Sequence, residues 1–211
     1  MPPNKNTSHV TIVKLGGSLA YTPQCTAWLK VLAAWGGPLI LVPGGGPFAD
    51  CVRAMQAAMG FDDATAHRMA LLAMEQFGAA LAAHAKLFTL AASRDELASA
   101  LRAGQIPVWL PAKMVLAAPE LPQTWDVTSD SLAAWLAGIL GAGRLLLIKS
   151  RDIEAPVSAR ELATDDIVDP MFPSFAEQSH AEVWLAGLAS LKEAVRLLQC
   201  GGMPGTKVAI P

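Results

Sequence analysis

The sequence predicts an α/β protein built on a mainly parallel sheet, and three observations predict it. Short runs rich in Val, Ile and Leu alternate with longer stretches whose apolar residues recur at helical spacing. Those runs are apolar at successive positions rather than at every second one, the pattern of strands covered on both faces, as parallel strands are. Glycine and proline fall between segments: Gly36-Gly37-Pro38, Gly104 and Gly201-Gly202 each precede a strand.

Taken in order, the first strand spans Val10 to Leu15 (VTIVKL) and runs directly into Gly16-Gly17-Ser18. A helix is expected over Thr26 to Trp35, then a strand over Leu39 to Val42 that enters Gly44-Gly45-Gly46 through Pro43. Pro47 opens the next helix, which runs to Met59, because the first helical turn tolerates a residue without an N–H. The segment Asp62 to His84 reads as one long helix with two apolar faces, Met69, Leu72, Gln76 and Ala79 on one and Leu71, Met74, Gly78 and Leu81 on the other. A helix apolar nearly all round has to be buried nearly all round, and a single helical layer on a sheet cannot do that. This helix is therefore expected to pair with a second copy in a homodimer or a larger assembly. A strand over Lys86 to Leu90, a helix over Arg94 to Arg102, a strand over Ile106 to Leu110, a helix over Ser129 to Leu140 and a strand over Arg144 to Lys149 follow. Ser150 to Ser179, rich in Asp, Glu and Pro, reads as an irregular excursion at the C-terminal side of the sheet, where ligands of open α/β folds bind. A strand over Glu182 to Ala186, a helix over Leu188 to Gln199 and a strand over Lys207 to Ile210 close the chain.

Composition narrows the partners. The 211 residues suit one domain over 1–211, and 16 Lys+Arg against 18 Asp+Glu, with no basic run, predict a small-molecule partner rather than a nucleic acid. No membrane span is expected: Met69 to Ala92 is apolar, but Glu75, Gln76, His84 and Lys86 interrupt it. The opening MPPNKNTSH lacks the apolar core of a signal peptide, so a cytoplasmic location is expected. Cys25, Cys51 and Cys200 are isolated and read as free, mostly buried thiols, and no metal-ligand set is expected.

Two glycine loops carry the chemistry. In KLGGS, Lys14 near a strand end precedes Gly16, Gly17 and Ser18, whose backbone N–H groups can form an anion nest with a cation at its mouth. The same residues also suit a tight turn with a lysine at the rim. In PGGGP, Gly44, Gly45 and Gly46 form a second nest at a helix start, a place that favours phosphate. Neither loop fits the P-loop or the dinucleotide pattern, and GGMPGTKV has the wrong order for the former. In WDVTSDSLAAWLA, Asp126 and Asp130 flank a helix start with Thr128 or Ser129 as N-cap; they either complement the helix dipole or position a catalytic lysine. HAE at His180 lacks the PCxxC partner of zinc deaminases, and no GxSxG occurs.

In this order, strand-KLGGS, strand-PGGG-helix, the helix with AHRMALLAME and then DVTSDSLAAWLA before a strand, the chain resembles the amino acid kinase superfamily, and within it most resembles the aminomethylfuran phosphate kinase branch. The resemblance implies a three-layer α/β/α sandwich with an acceptor-side lobe over about 9–142 and an abbreviated nucleotide-side lobe over about 143–211. It implies ATP and Mg²⁺, with the γ-phosphoryl group passing to a phosphomonoester or carboxylate. Lys14 would then bridge donor and acceptor phosphoryl oxygens, and Asp130 would orient lysines. Gly16, Gly17, Ser18, Lys149 and Ser150 would lie on the nucleotide side. Gly44, Gly45, Gly46, Asp126 and Ser129 would lie on the acceptor side, with His67 either a ligand of an acceptor phosphate or an interface histidine. Many members carry a second catalytic lysine late in the chain, where this sequence reads TDDIVDPMFPSFAEQ, with Lys149 the nearest substitute. A kinase working with one such lysine and Mg²⁺ is one expectation. A non-catalytic nucleotide- or oxyanion-binding, storage or regulatory protein is the alternative.

Overall fold

The computed structural model describes residues 10–153 and 157–210; the MPPNKNTSH segment lies outside them. Eight strands form the sheet: β1 Thr11–Leu15, β2 Leu39–Pro43, β3 Phe88–Ala91, β4 Ile106–Trp109, β5 Arg144–Ile148, β6 Val157–Ser158, β7 Glu182–Ala186 and β8 Thr206–Ala209. Their order across the sheet is β3-β4-β2-β1-β5-β7-β8-β6, and all neighbours run parallel except β7 and β8. The helices are α1 Pro23–Trp35, α2 Gly46–Met59, α3 Asp63–Ala82, α4 Arg94–Arg102, α5 Ala112–Val115, α6 Ser129–Leu140, α7 Ala159–Thr164, α8 Phe172–Ser179 and α9 Leu191–Gln199.

The central strands read as buried at every position, and the structure explains why: β1, β2 and the inner residues of β5 are covered on both faces. Val13, Leu15, Leu39, Leu41, Leu146 and Ile148 pack with Trp28 and Leu32 of α1 and Ala194 and Leu198 of α9. Ile12, Ile40, Val42, Leu145 and Leu147 pack on the other face with Leu132 and Leu136 of α6 and Phe172 and Phe175 of α8. This is a three-layer sandwich.

The parity of the strands aims the two lysines. Side chains alternate along a strand, so Lys14 shares a face with Ile12, and Lys149, one residue past β5, shares a face with Leu145 and Leu147. That face is the one α6 covers. β1 pairs with β5 in register, Lys14 opposite Leu147 and Leu15 opposite Ile148, so both lysines emerge at the same C-terminal edge of the sheet.

Several expectations shift. Ser150 to Ser179 holds β6, α7 and α8 rather than irregular chain, and a capping box of Ser158 and Glu161 starts α7. The short α5 carried no sequence signal. The two predicted faces of α3 separate: Leu71, Met74, Gly78 and Leu81 are buried against the protein, whereas Leu72, Gln76 and Ala79 are exposed. Of the thiols only Cys25 is buried; Cys51 and Cys200 are exposed, which corrects the expectation of mostly buried cysteines. Among the described residues no helix is long and apolar enough to cross a membrane.

Candidate active site

The first strand's exit turns at Gly16 and Gly17, and the second strand's exit at Gly44, Gly45 and Gly46. The two turns touch backbone to backbone. A Cβ on Gly17 would overlap Gly46 N, and one on Gly44 would overlap Gly17 N, so no side chain fits at either position. Gly46 also has φ +55°, a conformation that glycine adopts without strain. The predicted nests thus form one continuous rim. Gly44 N donates to Leu15 O at 2.9 Å and Gly16 N to Ile148 O at 2.9 Å, which ties both loops to the central strands.

Behind that rim lies the charged centre. Lys14 and Asp130 are each 4% exposed, values rare for charged groups unless paired. Lys149 Nζ donates to Asp130 Oδ2 at 2.6 Å and to Ile167 O at 2.6 Å. Lys14 Nζ lies 2.9 Å from Asp130 Oδ1, an ion pair. Burial pushes the Asp130 carboxyl up, but Lys14 and Lys149 together hold it below the ordinary carboxylate value. Burial likewise pulls Lys149 down from 10.5 to about 8; Asp130 opposes this, and the neighbouring charge of Lys14 adds to it. Two ammonium groups thus share one carboxylate at the end of the sheet, with a second carboxylate, Asp169, close enough to act on Lys149.

Asp130 is placed by the first turn of α6, and that turn is capped in an unexpected way. Thr128 holds the N-cap position, but its side chain caps nothing. Asp169 caps instead: Oδ2 accepts from Thr128 N at 3.0 Å, Thr128 Oγ1 at 2.8 Å and Ser131 N at 3.0 Å, and Oδ1 accepts from Ser131 Oγ. Burial and the nearby Asp130 charge push the Asp169 carboxyl up, against these hydrogen bonds. The segment that supplies the Ile167 carbonyl to Lys149 therefore also fixes the helix that carries Asp130.

A cavity of about 250 Å³ opens over this centre, lined by Lys14, Lys149, the glycine rim and the residues discussed below. Of the sequence-predicted residues, Lys14, Gly16, Gly17, Ser18, Gly45, Gly46, His67, Ser129 and Lys149 line it. Gly44 is buried just behind, and Ser150 is displaced from the lining, its hydroxyl accepting from Ser18 Oγ at 2.9 Å. Asp126 does not take its expected place: it is exposed and outside the lining, and the preceding residue, Trp125, faces the cavity instead.

Three lining residues carry chemistry that the sequence reading missed. Asp50 and Arg53 continue the face of α2 that begins at Gly46 and passes through Ala49, a helical spacing that was open to notice. The Arg53 guanidinium lies 4.2 Å from the centroid of the Trp125 ring and 3.6 Å from Asp50 Oδ1. Trp125 Nε1 donates to Gln56 Oε1 at 2.7 Å, and Gln56 Nε2 donates in turn to Asp63 Oδ1 at 2.8 Å. Arg53 is thus a cation held at the cavity mouth by a fixed aromatic ring. Ala70, Leu71, Met74 and Leu132 add apolar surface to the lining. Among the described residues no three His, Cys, Asp or Glu gather to hold a metal ion.

The arrangement can bind polyanions and neutralise charge moving between them. The comparisons agree. A model of the amino acid kinase family matches residues 9–152. The (5-(aminomethyl)furan-3-yl)methyl phosphate kinase of Methanocaldococcus jannaschii is 28% identical over 149 residues, covering 67% of this chain and 66% of that protein, slightly under two thirds of its length. Among solved structures, the uridylate kinase of Archaeoglobus fulgidus superposes with TM-score 0.70 at 15% identity, over 94% of this chain and 99% of that one. The UMP kinase of Bacillus anthracis does so with TM-score 0.70 at 14% identity, over 95% of each chain. At these identities the structures speak for the fold.

Proposed function

The chain belongs to the amino acid kinase family, and from that membership we propose that it is an ATP-dependent small-molecule kinase acting on a phosphomonoester or carboxylate. The observation that carries the reading is the pair of buried lysines sharing Asp130, set beside two touching glycine loops at the C-terminal edge of the sheet. Phosphoryl transfer asks a protein for positioning and charge neutralisation rather than covalent help. Gly17 and Ser18, with Lys149 beside them, hold the nucleotide phosphates; Gly45, Gly46 and Ser129 hold the acceptor, and Arg53 adds a cation on that side, while Gly16 and Gly44, whose N–H groups are spent on Ile148 and Leu15, shape the two turns. An acceptor oxygen attacks the γ-phosphorus in line, the bond to the β-phosphate oxygen breaks, and ADP leaves with the electron pair. Lys14 sits between the two loops and neutralises the transferring oxygens, while Asp130 fixes both lysines. Mg²⁺, carried by the nucleotide, would supply further neutralisation. Donors of this kind are worth about 10²–10³ in rate each.

The finer reading takes the acceptor to be an aminomethylfuran phosphate or a close chemical relative, the product being a diphosphate. It is supported by the printed activity of the 28% identical relative and by a cavity with a cationic mouth and apolar surface in its lining. A homodimer through the α2 and α3 side of the molecule belongs to the same proposal. A purely binding or regulatory role draws on the missing late lysine; the second lysine beside Asp130, Lys149, supports the kinase reading over it. ADP release is the test, with Mg-ATP and a panel of acetylglutamate, uridylate, isopentenyl phosphate, carbamate and aminomethylfuran phosphate. Turnover of one phosphomonoester above the rest is expected. No ADP from any of them would favour the binding role, and preference for a carboxylate would overturn the finer reading alone.

A further inference from the structure

Among the described residues that line the cavity, Lys14, Lys149 and Arg53 are cations and suit a phosphate, whereas Asp50 is the single carboxylate, and phosphoryl transfer gives it no part to play. A carboxylate repels a phosphate and attracts a cation, so its place in the lining bears on the rest of the ligand. The other carboxylates of this region are engaged or turned away. Asp130 meets both lysines, Asp169 accepts from Thr128 and Ser131, and Asp63 accepts from Gln56. Asp126 is exposed and outside the lining.

Two features of α2 fix what Asp50 can meet. Its ion-pair partner is Arg53, but Nη1 stands 3.6 Å from Oδ1, beyond hydrogen-bond reach, and the guanidinium is seated over the Trp125 ring instead. Asp50 also follows Gly46, the first residue of α2, by one helical turn on the same face. At roughly 1.5 Å per residue it stands about 6 Å further along the helix than the glycine rim. A phosphate at the helix start and a positive group beside Asp50 are thus one turn apart, a gap that a five-membered ring with a substituent on either side can span.

Resting on the reading of this cavity as the acceptor site of a kinase, we infer that Asp50 is a specificity residue whose carboxylate takes an ammonium group on the end of the acceptor remote from its reacting phosphate. The site then selects a zwitterion: the phosphate falls to Lys14 and the glycine rim, and the positive end to the one lining carboxylate. The Asp50 side chain is 79% exposed, so the pair has the strength of a surface ion pair, and an acceptor without the positive charge binds about twofold to fivefold more weakly.

The experiment is calorimetric binding at neutral pH and low ionic strength, without nucleotide, of three furan-3-ylmethyl phosphates that differ only at ring position 5: aminomethyl, hydroxymethyl or methyl. The wild type is expected to bind the aminomethyl compound about twofold to fivefold more tightly than either of the others. Added salt should shrink that margin. Asp50→Asn should abolish the margin by weakening the aminomethyl compound alone, and Asp50→Glu, which returns the charge, should keep a margin of the same sign. The side chain is exposed, so neither variant is expected to disturb the fold, which urea unfolding checks. Equal affinity of the wild type for all three compounds, absence of binding included, overturns the inference. So does a hydroxymethyl compound that matches the aminomethyl one, and so does a margin that persists in Asp50→Asn. ADP release with Mg-ATP is measured apart from binding: a margin without turnover would refute the kinase reading and leave Asp50 in place, and turnover without a margin would do the reverse.

Discussion

Replacing Lys149 with Met should produce opposite signs in stability and activity over one pH window. The ammonium is pulled from 10.5 to about 8 in the folded protein, chiefly by burial. At about 1.4 kcal/mol per pKa unit, that gap corresponds to roughly 3 kcal/mol by which the fold disfavours the charged lysine. Because the folded value lies below the unfolded one, the unfolded chain binds more protons between about pH 8 and 10.5, and wild-type stability rises with pH across that window. In Lys149→Met this rise disappears, and the difference between the two stability curves isolates the contribution of Lys149. Activity runs the other way. kcat/KM reports the free enzyme, so it should fall above about pH 8 as Lys149 loses its charge. Bound phosphates favour the ammonium, so the corresponding limb of kcat should lie at higher pH. At pH 7 the variant should lose about 10²–10³ in kcat. Urea unfolding at a series of pH values and steady-state ADP release are the assays. Superimposable stability curves for wild type and variant would refute the buried, depressed ammonium, and a rate within tenfold of wild type would remove Lys149 from the mechanism.

Lys14→Ala should abolish turnover while the protein still unfolds cooperatively, since Lys149 remains to neutralise Asp130; more than about a tenth of the wild-type rate would exclude Lys14 as a transition-state cation. Asp169→Asn keeps one acceptor oxygen where four donors converge, and should cost about 2–4 kcal/mol in urea unfolding together with a fall in kcat, because Asp130 rides on the same first turn. Unchanged stability would show that the carboxylate is not the cap. On the outer side of α2 and α3, Phe48, Met55, Met59 and Leu72 are 39, 38, 69 and 47% exposed. Light scattering is expected to show a dimer that Leu72→Glu weakens, and a monomeric wild type at micromolar concentration would refute the interface.

Strand order was not legible in the sequence, but strand character was, because β1, β2 and β5 are buried on both faces and so carry no polar alternation to blur them. The glycine loops were legible for a related reason: a backbone-to-backbone approach such as Gly17 against Gly46 admits no other residue, so the requirement is written in residue type. Trp125 was missed because its neighbour Asp126 looked the more chemical of the two. Only the loop's path decides which of two consecutive residues faces inward, and here the main-chain N–H of Met171 takes the Asp126 carbonyl while the Trp125 ring is held by Gln56.

Asp169 shows the limit of local reading most clearly. It lies 38 residues from Ser131, in a segment whose acids and prolines read as solvated loop, and no spacing connects it with the helix that it caps. Yet the missing late lysine and this aspartate concern the same piece of chain. Where the resemblance expects a cation to arrive from the late segment, the segment delivers acceptors: the Ile167 carbonyl to Lys149 and the Asp169 carboxylate to the α6 N-terminus. The cation comes from the end of β5 instead. A lysine placed at the end of a central strand has its face set by parity and its depth set by register, so it needs acceptors to hold its head rather than a mobile segment to carry it in. The late segment thus holds the head of Lys149 and the start of α6, and Asp130 meets two cations whose lysines are both rooted in the sheet.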